Sequence, residues 1–312
     1  MKAFVFPGQG SQAVGMGAKL LSAFSSARET LEEVDDALSQ NLTRLIAEGP
    51  TEQLMLTQNA QPAIMAVSIA ALRVVQKEGN RSTSQCCDLV AGHSLGEYSA
   101  LAASEVFNLK DTARLLRVRG SAMQTAVPVG EGGMAALLGA SLEQAREIAN
   151  DAAQGMVCTS ANDNAPGQIV LSGEIGAIDR AIEIARERGI RKCIKLPVSA
   201  PFHCKLMQPA ADVMEKELAA VKLLRPLVPV VANVTAKTVE DPDTIRQLLI
   251  EQVTCLVRWR ESIIAMRDAG VDTIVEIGPG KVLSGLIKRI DRDIKTINVE
   301  TPDDVETLLK TL

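Results

Sequence analysis

A glycine–serine–glycine turn between a strand and a helix is the feature that most constrains this chain. The stretch Gly92-His93-Ser94-Leu95-Gly96 follows a short apolar run, 87–91, and precedes a run, 97–103, that favours a helix. This is the context of a nucleophile elbow, where glycines permit a strained backbone that exposes the serine side chain. Ser94 is then expected at a helix N-terminus, where free N–H groups can stabilise a developing anion.

Composition excludes several classes of protein. Of the 312 residues, 46% are hydrophobic, which is enough for a sizeable core, and the net charge of −5 argues against a general nucleic-acid binder. The first apolar run is too short for a signal peptide, and no apolar stretch reaches membrane-spanning length. We therefore expect neither nucleic acid nor a membrane as a partner.

The cysteines and histidines argue against a metal site. Six cysteines are scattered along the chain without a Cys-x-x-Cys pair, and there are only two histidines. Zinc sites usually draw on clustered ligands of these two types. Scattered free thiols suit a reducing compartment, so we expect a cytoplasmic protein without a bound metal.

Predicted strands alternate with predicted helices along most of the chain. Residues 2–6 form a first predicted strand that ends in a polar loop, 7–12, and residues 273–277 form a later strand that ends at 278–280. Such alternation indicates a mainly parallel sheet covered on both faces by helices. Ligands of α/β proteins bind at the carboxyl ends of the strands, where these loops and the elbow are expected.

A different order of elements occupies residues 127–197. The predicted elements there are strand 134–139, helix 141–153, strands 156–161 and 168–172 joined by a turn over 162–167, helix 177–188 and strand 192–196. The order β-α-β-β-α-β is that of a ferredoxin-like unit. We therefore predict a large hydrolase-like α/β domain, 1–126 and 198–312, with a ferredoxin-like subdomain, 127–197, inserted in it.

A serine nucleophile needs a base, and the chain offers two histidines for this role. His93 is adjacent to Ser94 on a sharp turn, where neighbouring side chains usually point apart. His203 follows Pro201-Phe202 at a strand-to-helix junction that can reach the same sheet edge. Elimination favours His203, although no aspartate after it stands out as the acid of a triad.

Arg119 is unusual for its place on a predicted helix, 111–125. Its neighbours three and four residues away are apolar, namely Leu115, Leu116, Ala122 and Met123. A guanidinium on such a face must reach water, pair with an internal carboxylate or await an anionic substrate. These three interpretations stay open at the level of the sequence.

Five motifs together resemble the malonyl-CoA:acyl carrier protein transacylases. They lie at residues 6–12, 92–97, 119–120, 200–203 and 276–280, in the order and spacing of that family, and the resemblance covers essentially the whole chain. It implies the two-part fold predicted above. It also implies an acyltransferase that moves malonyl from malonyl-CoA to the phosphopantetheine thiol of an acyl carrier protein through a malonyl-serine, with no cofactor.

The resemblance further implies roles for six residues. They are Ser94 and His203 as the catalytic dyad, Gln9 and Leu95 as backbone donors of the oxyanion hole, and Arg119 and Gln252 at the substrate. The Arg119 guanidinium would pair with the malonyl carboxylate. The main-chain carbonyl of Gln252 would orient the His203 imidazole, which would account for the missing triad acid.

Two other functions fit parts of the same pattern. An α/β-hydrolase esterase shares Gly-x-Ser-x-Gly but usually carries a triad acid and a His-Gly-Gly-type oxyanion loop, and neither is evident here. A non-catalytic acyl-binding protein would not need the intact set of Ser94, His203 and Arg119. The sequence leaves open the carrier protein, the pathway and the oligomeric state, for which we take a monomer as the working expectation.

Overall fold

Two sheets organise the computed structural model, which describes residues 1–198 and 200–312. The strands are β1 (Lys2–Phe6), β2 (Leu89–Gly92), β3 (Gly132–Leu138), β4 (Cys158–Ala165), β5 (Gln168–Glu174), β6 (Lys192–Lys195), β7 (Val230–Val231), β8 (Thr238–Val239), β9 (Thr273–Ile277) and β10 (Lys295–Val299). The helices are α1 (Ala18–Ala23), α2 (Ser25–Leu38), α3 (Leu42–Glu48), α4 (Thr51–Met55), α5 (Thr57–Gly79), α6 (Thr83–Cys86), α7 (Leu95–Ala103), α8 (Leu109–Thr125), α9 (Leu142–Ala153), α10 (Ile175–Glu187), α11 (Gln208–Ala220), α12 (Pro242–Gln252), α13 (Trp259–Asp268), α14 (Val282–Ile290) and α15 (Pro302–Leu309).

The larger sheet has six strands in the order β10-β9-β1-β2-β7-β8. All neighbouring strands run parallel except β8, which is antiparallel to β7. Side chains of β1 alternate between the two faces, because Phe4 and Phe6 join one hydrophobic core while Ala3 and Val5 join another. A sheet with a core on each face is the mainly parallel α/β architecture predicted from the sequence, and that prediction is confirmed.

Three neighbouring strands bring the loops of the site to one edge of this sheet. Strand β2 lies between β1 and β7, and Phe6 at the end of β1 pairs with Gly92 at the end of β2. Because the three strands are parallel, the segments that follow them emerge side by side. Gln9 follows β1, Ser94 follows β2 and Asn233 follows β7.

The smaller sheet is antiparallel, with the order β4-β5-β3-β6. Numbered within this unit, the strands lie in the order 2-3-1-4, and α9 and α10 pack with the sheet around a separate hydrophobic core. This is the predicted ferredoxin-like arrangement, which is confirmed. The boundaries of the inserted subdomain at 127 and 197 stay a prediction.

The turn predicted over 162–167 is wrong in its extent. Strand β4 continues to Ala165 with irregular pairing to β5, and the turn itself takes only the next two residues. The reason is a partner outside the small sheet. The N–H of Asp163 donates to the carbonyl of Val257 at 2.9 Å, and the N–H of Val257 donates to the carbonyl of Ala161 at 2.9 Å. The polar stretch is therefore held extended against the larger domain.

An ion pair with a fully buried carboxylate reinforces this contact between the two parts of the fold. The Nε of Arg260 on α13 lies 3.0 Å from both carboxylate oxygens of Asp163, whose side chain is 0% exposed. We expect Arg260→Ala to lower the free energy of unfolding by about 3–5 kcal/mol, because it leaves a buried carboxylate unpaired. Chemical denaturation measures this loss.

The matched control is the exposed pair of Arg44 and Glu48, whose side chains are 73% and 65% exposed. Arg44→Ala should lower the free energy of unfolding by less than about 1 kcal/mol, the usual limit for a solvated pair. Similar losses in the two variants would show that the Arg260–Asp163 pair stabilises the fold no more than a solvated pair does.

Candidate active site

Ser94 occupies a strained turn between β2 and α7. Its φ of 54° and ψ of −110° lie in a region that residues with side chains rarely adopt. A Cβ on Gly92 would lie 1.9 Å from the carbonyl oxygen of Gly96, and a Cβ on Gly96 would lie 2.2 Å from that of Phe6. The backbone therefore requires glycine at both positions, which is the physical content of the Gly-x-Ser-x-Gly motif.

Asn233 holds this turn from the neighbouring strand. The backbone N–H of Ser94 donates to Asn233 Oδ1 at 2.7 Å, and Asn233 Nδ2 donates to the carbonyl of Gly92 at 2.7 Å. The Ser94 N–H is therefore already bonded and is not free for a ligand. No role for Asn233 was predicted from the sequence; it lies just beyond the carboxyl end of β7, at the edge where ligands of α/β proteins bind.

His203 contacts the Ser94 hydroxyl with one ring nitrogen and a backbone carbonyl with the other. Its Nε2 lies 2.8 Å from Ser94 Oγ, and its Nδ1 lies 2.8 Å from the carbonyl oxygen of Gln252. Because a carbonyl only accepts, Nδ1 carries the proton and Nε2 is free to accept one. The triad acid expected of an esterase is replaced here by a main-chain oxygen.

The environment of His203 keeps its imidazole neutral. Burial, and next the positive charge of Arg119, lower the pKa of His203 to about 3, while the bond to Gln252 opposes this shift. At neutral pH the ring is therefore unprotonated. His203 also has a φ of 58°, so both members of the Ser94–His203 pair lie in left-handed backbone conformations.

The other histidine, His93, has different partners. Its Nε2 lies 2.8 Å from Asn164 Oδ1, and its ring centroid lies 5.6 Å from that of Trp259. Burial lowers the pKa of His93 as well. The structure thus brings His203, and not His93, into contact with the Ser94 hydroxyl, and the role of His203 as the base stays a prediction.

The Arg119 guanidinium is buried, with 1% of the residue exposed. Its Nη1 donates to Gln61 Oε1 at 2.7 Å and its Nη2 donates to Gln252 Oε1 at 2.8 Å, with Ser94 Oγ at 3.2 Å. The ring of Tyr98 lies beneath the guanidinium, with its centroid 5.6 Å from Cζ. No carboxylate of the described residues forms an ion pair with Arg119. The guanidinium therefore does not reach water, and its role toward an anionic substrate stays a prediction.

Gln9 and Leu95 line the same cavity as Ser94. Gln9 lies in the loop after β1, where its Oε1 accepts the hydroxyl of Thr57 at 2.8 Å, and Leu95 is the first residue of α7. Within the part of the chain that the structure describes, neither N–H has a hydrogen-bond acceptor. Two free donors beside a serine hydroxyl are what an oxyanion hole requires.

These groups line a cavity of about 430 Å³ between the two sheets. Its polar lining includes Ser94, His203, Arg119 and Gln9, and apolar side chains such as Met123 line much of the rest. That combination of size and lining is typical of a small-molecule site. Among residues 1–198 and 200–312, no cluster of three or more His, Cys, Asp or Glu could hold a metal ion. None of the described helices is long and apolar enough to cross a membrane.

Known proteins resemble this chain over nearly its full length. A family model described as "Acyl transferase domain" matches residues 3–301. The malonyl CoA-acyl carrier protein transacylase of Bacillus subtilis (strain 168) is 44% identical over 311 residues, which cover 99% of this chain and 96% of the relative.

Solved structures agree with this match. The crystal structure of an acyl-carrier-protein S-malonyltransferase from Bartonella henselae is 52% identical, with a TM-score of 0.97 over 99% of this chain and 98% of that chain. A second structure, of a type II PKS acyl-carrier protein in complex with its malonyl-transacylase, is 40% identical, with a TM-score of 0.96 over 100% and 99% of the two chains.

The elbow generates a prediction about stability. Gly96→Ala should lower the free energy of unfolding by about 1–3 kcal/mol, because the added Cβ overlaps the Phe6 carbonyl oxygen. Gly285 on α14 is the control, since an added Cβ there meets no described atom within 4 Å beyond its own helix. Gly285→Ala should raise the free energy of unfolding by about 0.5–1 kcal/mol, because alanine is more favourable than glycine inside a helix by that amount. Urea denaturation measures both changes. If the two substitutions change the free energy of unfolding in the same direction, the requirement for glycine at position 96 is contradicted.

Proposed function

The chain belongs to the acyl transferase family and, within it, to the malonyl CoA-acyl carrier protein transacylases, and we propose that it transfers malonyl from malonyl-CoA to an acyl carrier protein. The observation that carries this proposal is the position of Ser94 Oγ, 2.8 Å from His203 Nε2 and 3.2 Å from Arg119 Nη2. A nucleophile, its base and a buried cation meet in one cavity. The product would supply fatty acid or polyketide synthesis.

The first step forms a malonyl ester on the serine. His203 Nε2 accepts the Ser94 proton as Oγ attacks the thioester carbonyl carbon. The N–H groups of Gln9 and Leu95 stabilise the resulting oxyanion. When the intermediate collapses, the C–S bond breaks and His203 returns the proton to the departing CoA sulfur. The products of this half-reaction are free CoA and malonyl-Ser94.

The second step reverses these roles with a different thiol. The phosphopantetheine thiol of the carrier protein gives its proton to His203 as its sulfur attacks the ester carbonyl. The C–O bond to Ser94 then breaks, and His203 returns the proton to Oγ. The Nδ1 bond to the Gln252 carbonyl keeps the imidazole in the tautomer that both steps need.

Arg119 links substrate choice to the strength of the base. A malonyl carboxylate paired with the guanidinium adds a full negative charge to a site where the hydrogen-bond partners of Arg119 are otherwise neutral. Because the charge of Arg119 is one cause of the low pKa of His203, this pairing also raises that pKa. The substrate thus makes the imidazole a better base when it binds.

We further propose that the protein works in the cytoplasm. All six of its cysteines are free thiols, as is usual for proteins of reducing compartments.

Intact mass spectrometry with malonyl-CoA tests the nucleophile and the base. The wild type should gain one malonyl group, Ser94→Ala should gain none, and His203→Ala should gain it at least about a hundredfold more slowly. His93→Ala is the control for losing a buried imidazole and should affect acylation less than His203→Ala. An adduct that persists in Ser94→Ala, or a larger effect at His93, would overturn the assignment.

Substrate selectivity tests Arg119. Arg119→Ala should lower kcat/KM for malonyl-CoA by about 10²–10³-fold, the scale of losing one partner of a buried charge pair. Transfer from acetyl-CoA should be unchanged or improved, because no unpaired cation remains in the cavity. Arg119→Lys should be a poor replacement, since it cannot form two parallel bonds. If kcat/KM falls by the same factor for both substrates, Arg119 is a structural residue and does not select the acyl group.

A further inference from the structure

Glu97 is a buried carboxylate that the proposed reaction does not use. It lies on α7 three residues after Ser94, with 3% of the residue exposed. Its Oε2 accepts the Gln252 side-chain amide at 2.8 Å and the backbone N–H of Asn233 at 3.0 Å. Over the described residues, no Lys, Arg or His forms an ion pair with Glu97. A buried carboxylate bound mainly by amides needs an explanation.

The side chain of Gln252 bridges Glu97 and Arg119. Its Nε2 donates to Glu97 Oε2 at 2.8 Å and to the carbonyl of Ser94 at 3.0 Å, while its Oε1 accepts Arg119 Nη2 at 2.8 Å. An ionised carboxylate can only accept, and a guanidinium can only donate. The amide therefore has one stable orientation, and turning it over would place two donors together on one side and two acceptors together on the other.

We propose that Glu97 is a positioning residue for substrate selectivity, because it fixes the Gln252 amide with its oxygen toward Arg119. This inference rests on the proposed function. The fixed oxygen holds the guanidinium beside Ser94, where a malonyl carboxylate must meet it. Without the acceptor at position 97, Gln252 Nε2 keeps only the Ser94 carbonyl as a partner, so the amide is held less firmly and its oxygen no longer fixes the guanidinium beside Ser94.

Burial raises the pKa of Glu97 to about 7, while the bonds from Asn233 and Gln252 and the charge of Arg119 oppose that rise. A raised pKa means that the carboxyl is ionised above that value and protonated below it. Assays at pH 8 therefore keep Glu97 in the form that accepts both amides.

The test compares two substitutions of Glu97 in transfer from malonyl-CoA and acetyl-CoA at pH 8. Glu97→Met, which keeps the length but removes the acceptor, should lower the malonyl-to-acetyl ratio of kcat/KM about tenfold or more. Glu97→Gln, which retains an oxygen acceptor, should restore most of that ratio. A structural defect would lower kcat/KM for both substrates by the same factor and leave their ratio unchanged.

Glu276 provides the matched control. It is also a buried carboxylate at the carboxyl edge of the larger sheet, but it accepts the backbone N–H groups of Leu283 and Ser284 at the start of α14. Glu276→Met should lower thermal stability without changing the malonyl-to-acetyl ratio.

The outcomes separate the inference from the proposed function. If Glu97→Met keeps the wild-type malonyl-to-acetyl ratio of kcat/KM, the role of Glu97 is overturned and the proposed function is not affected. The same fall in this ratio in Glu276→Met would also overturn the role of Glu97, because loss of any buried carboxylate would then change the selectivity. A wild type without malonyl transfer to a carrier protein would instead remove the proposed function itself.

Discussion

The buried charge of Arg119 is the constraint on which the rest of the site depends. A guanidinium removed from water is costly unless polar groups replace its hydration. Here the acceptors are the amide oxygens of Gln61 and Gln252, with the Tyr98 ring beneath. These neutral acceptors bind Nη1 and Nη2 without cancelling the charge. The free protein thus holds a cation that a carboxylate can still neutralise, which favours malonyl over an uncharged acyl group.

Hydrogen bonds connect Arg119 to the loop after β1, which contains Gln9. Gln61 accepts from Arg119 and donates through Nε2 to the Thr57 hydroxyl at 2.9 Å, and that hydroxyl donates to Gln9 Oε1 at 2.8 Å. On the other side, Gln252 joins Arg119 to the imidazole that it orients. One connected set of hydrogen bonds therefore joins Arg119, the loop that contains Gln9 and the His203 imidazole, which is the preorganisation that the proposed mechanism requires.

The sequence predicted the parts of the site that follow from local geometry. The elbow at Ser94 and the choice of His203 came from a turn motif and from elimination. Alternation of strands and helices predicted the larger sheet, and the order β-α-β-β-α-β predicted the smaller one. Gln61 was missed because a polar residue in the nearly apolar helix α5 gives no sign of its partner, which lies 58 residues away. Asn233 lies 139 residues from Ser94, whose backbone N–H it accepts. The extension of β4 depends on hydrogen bonds to Val257. Such contacts arise only when the chain is folded.

The most direct test of this account is a crystal structure of the Ser94→Ala variant with malonyl-CoA. The substitution prevents acyl transfer and retains the cavity. We predict a malonyl carboxylate within hydrogen-bonding distance of the Arg119 guanidinium, and a thioester carbonyl oxygen close to the backbone N–H groups of Gln9 and Leu95. A carboxylate in solvent, or a carbonyl oxygen away from both N–H groups with Arg119 still bound only to Gln61 and Gln252, would contradict the account.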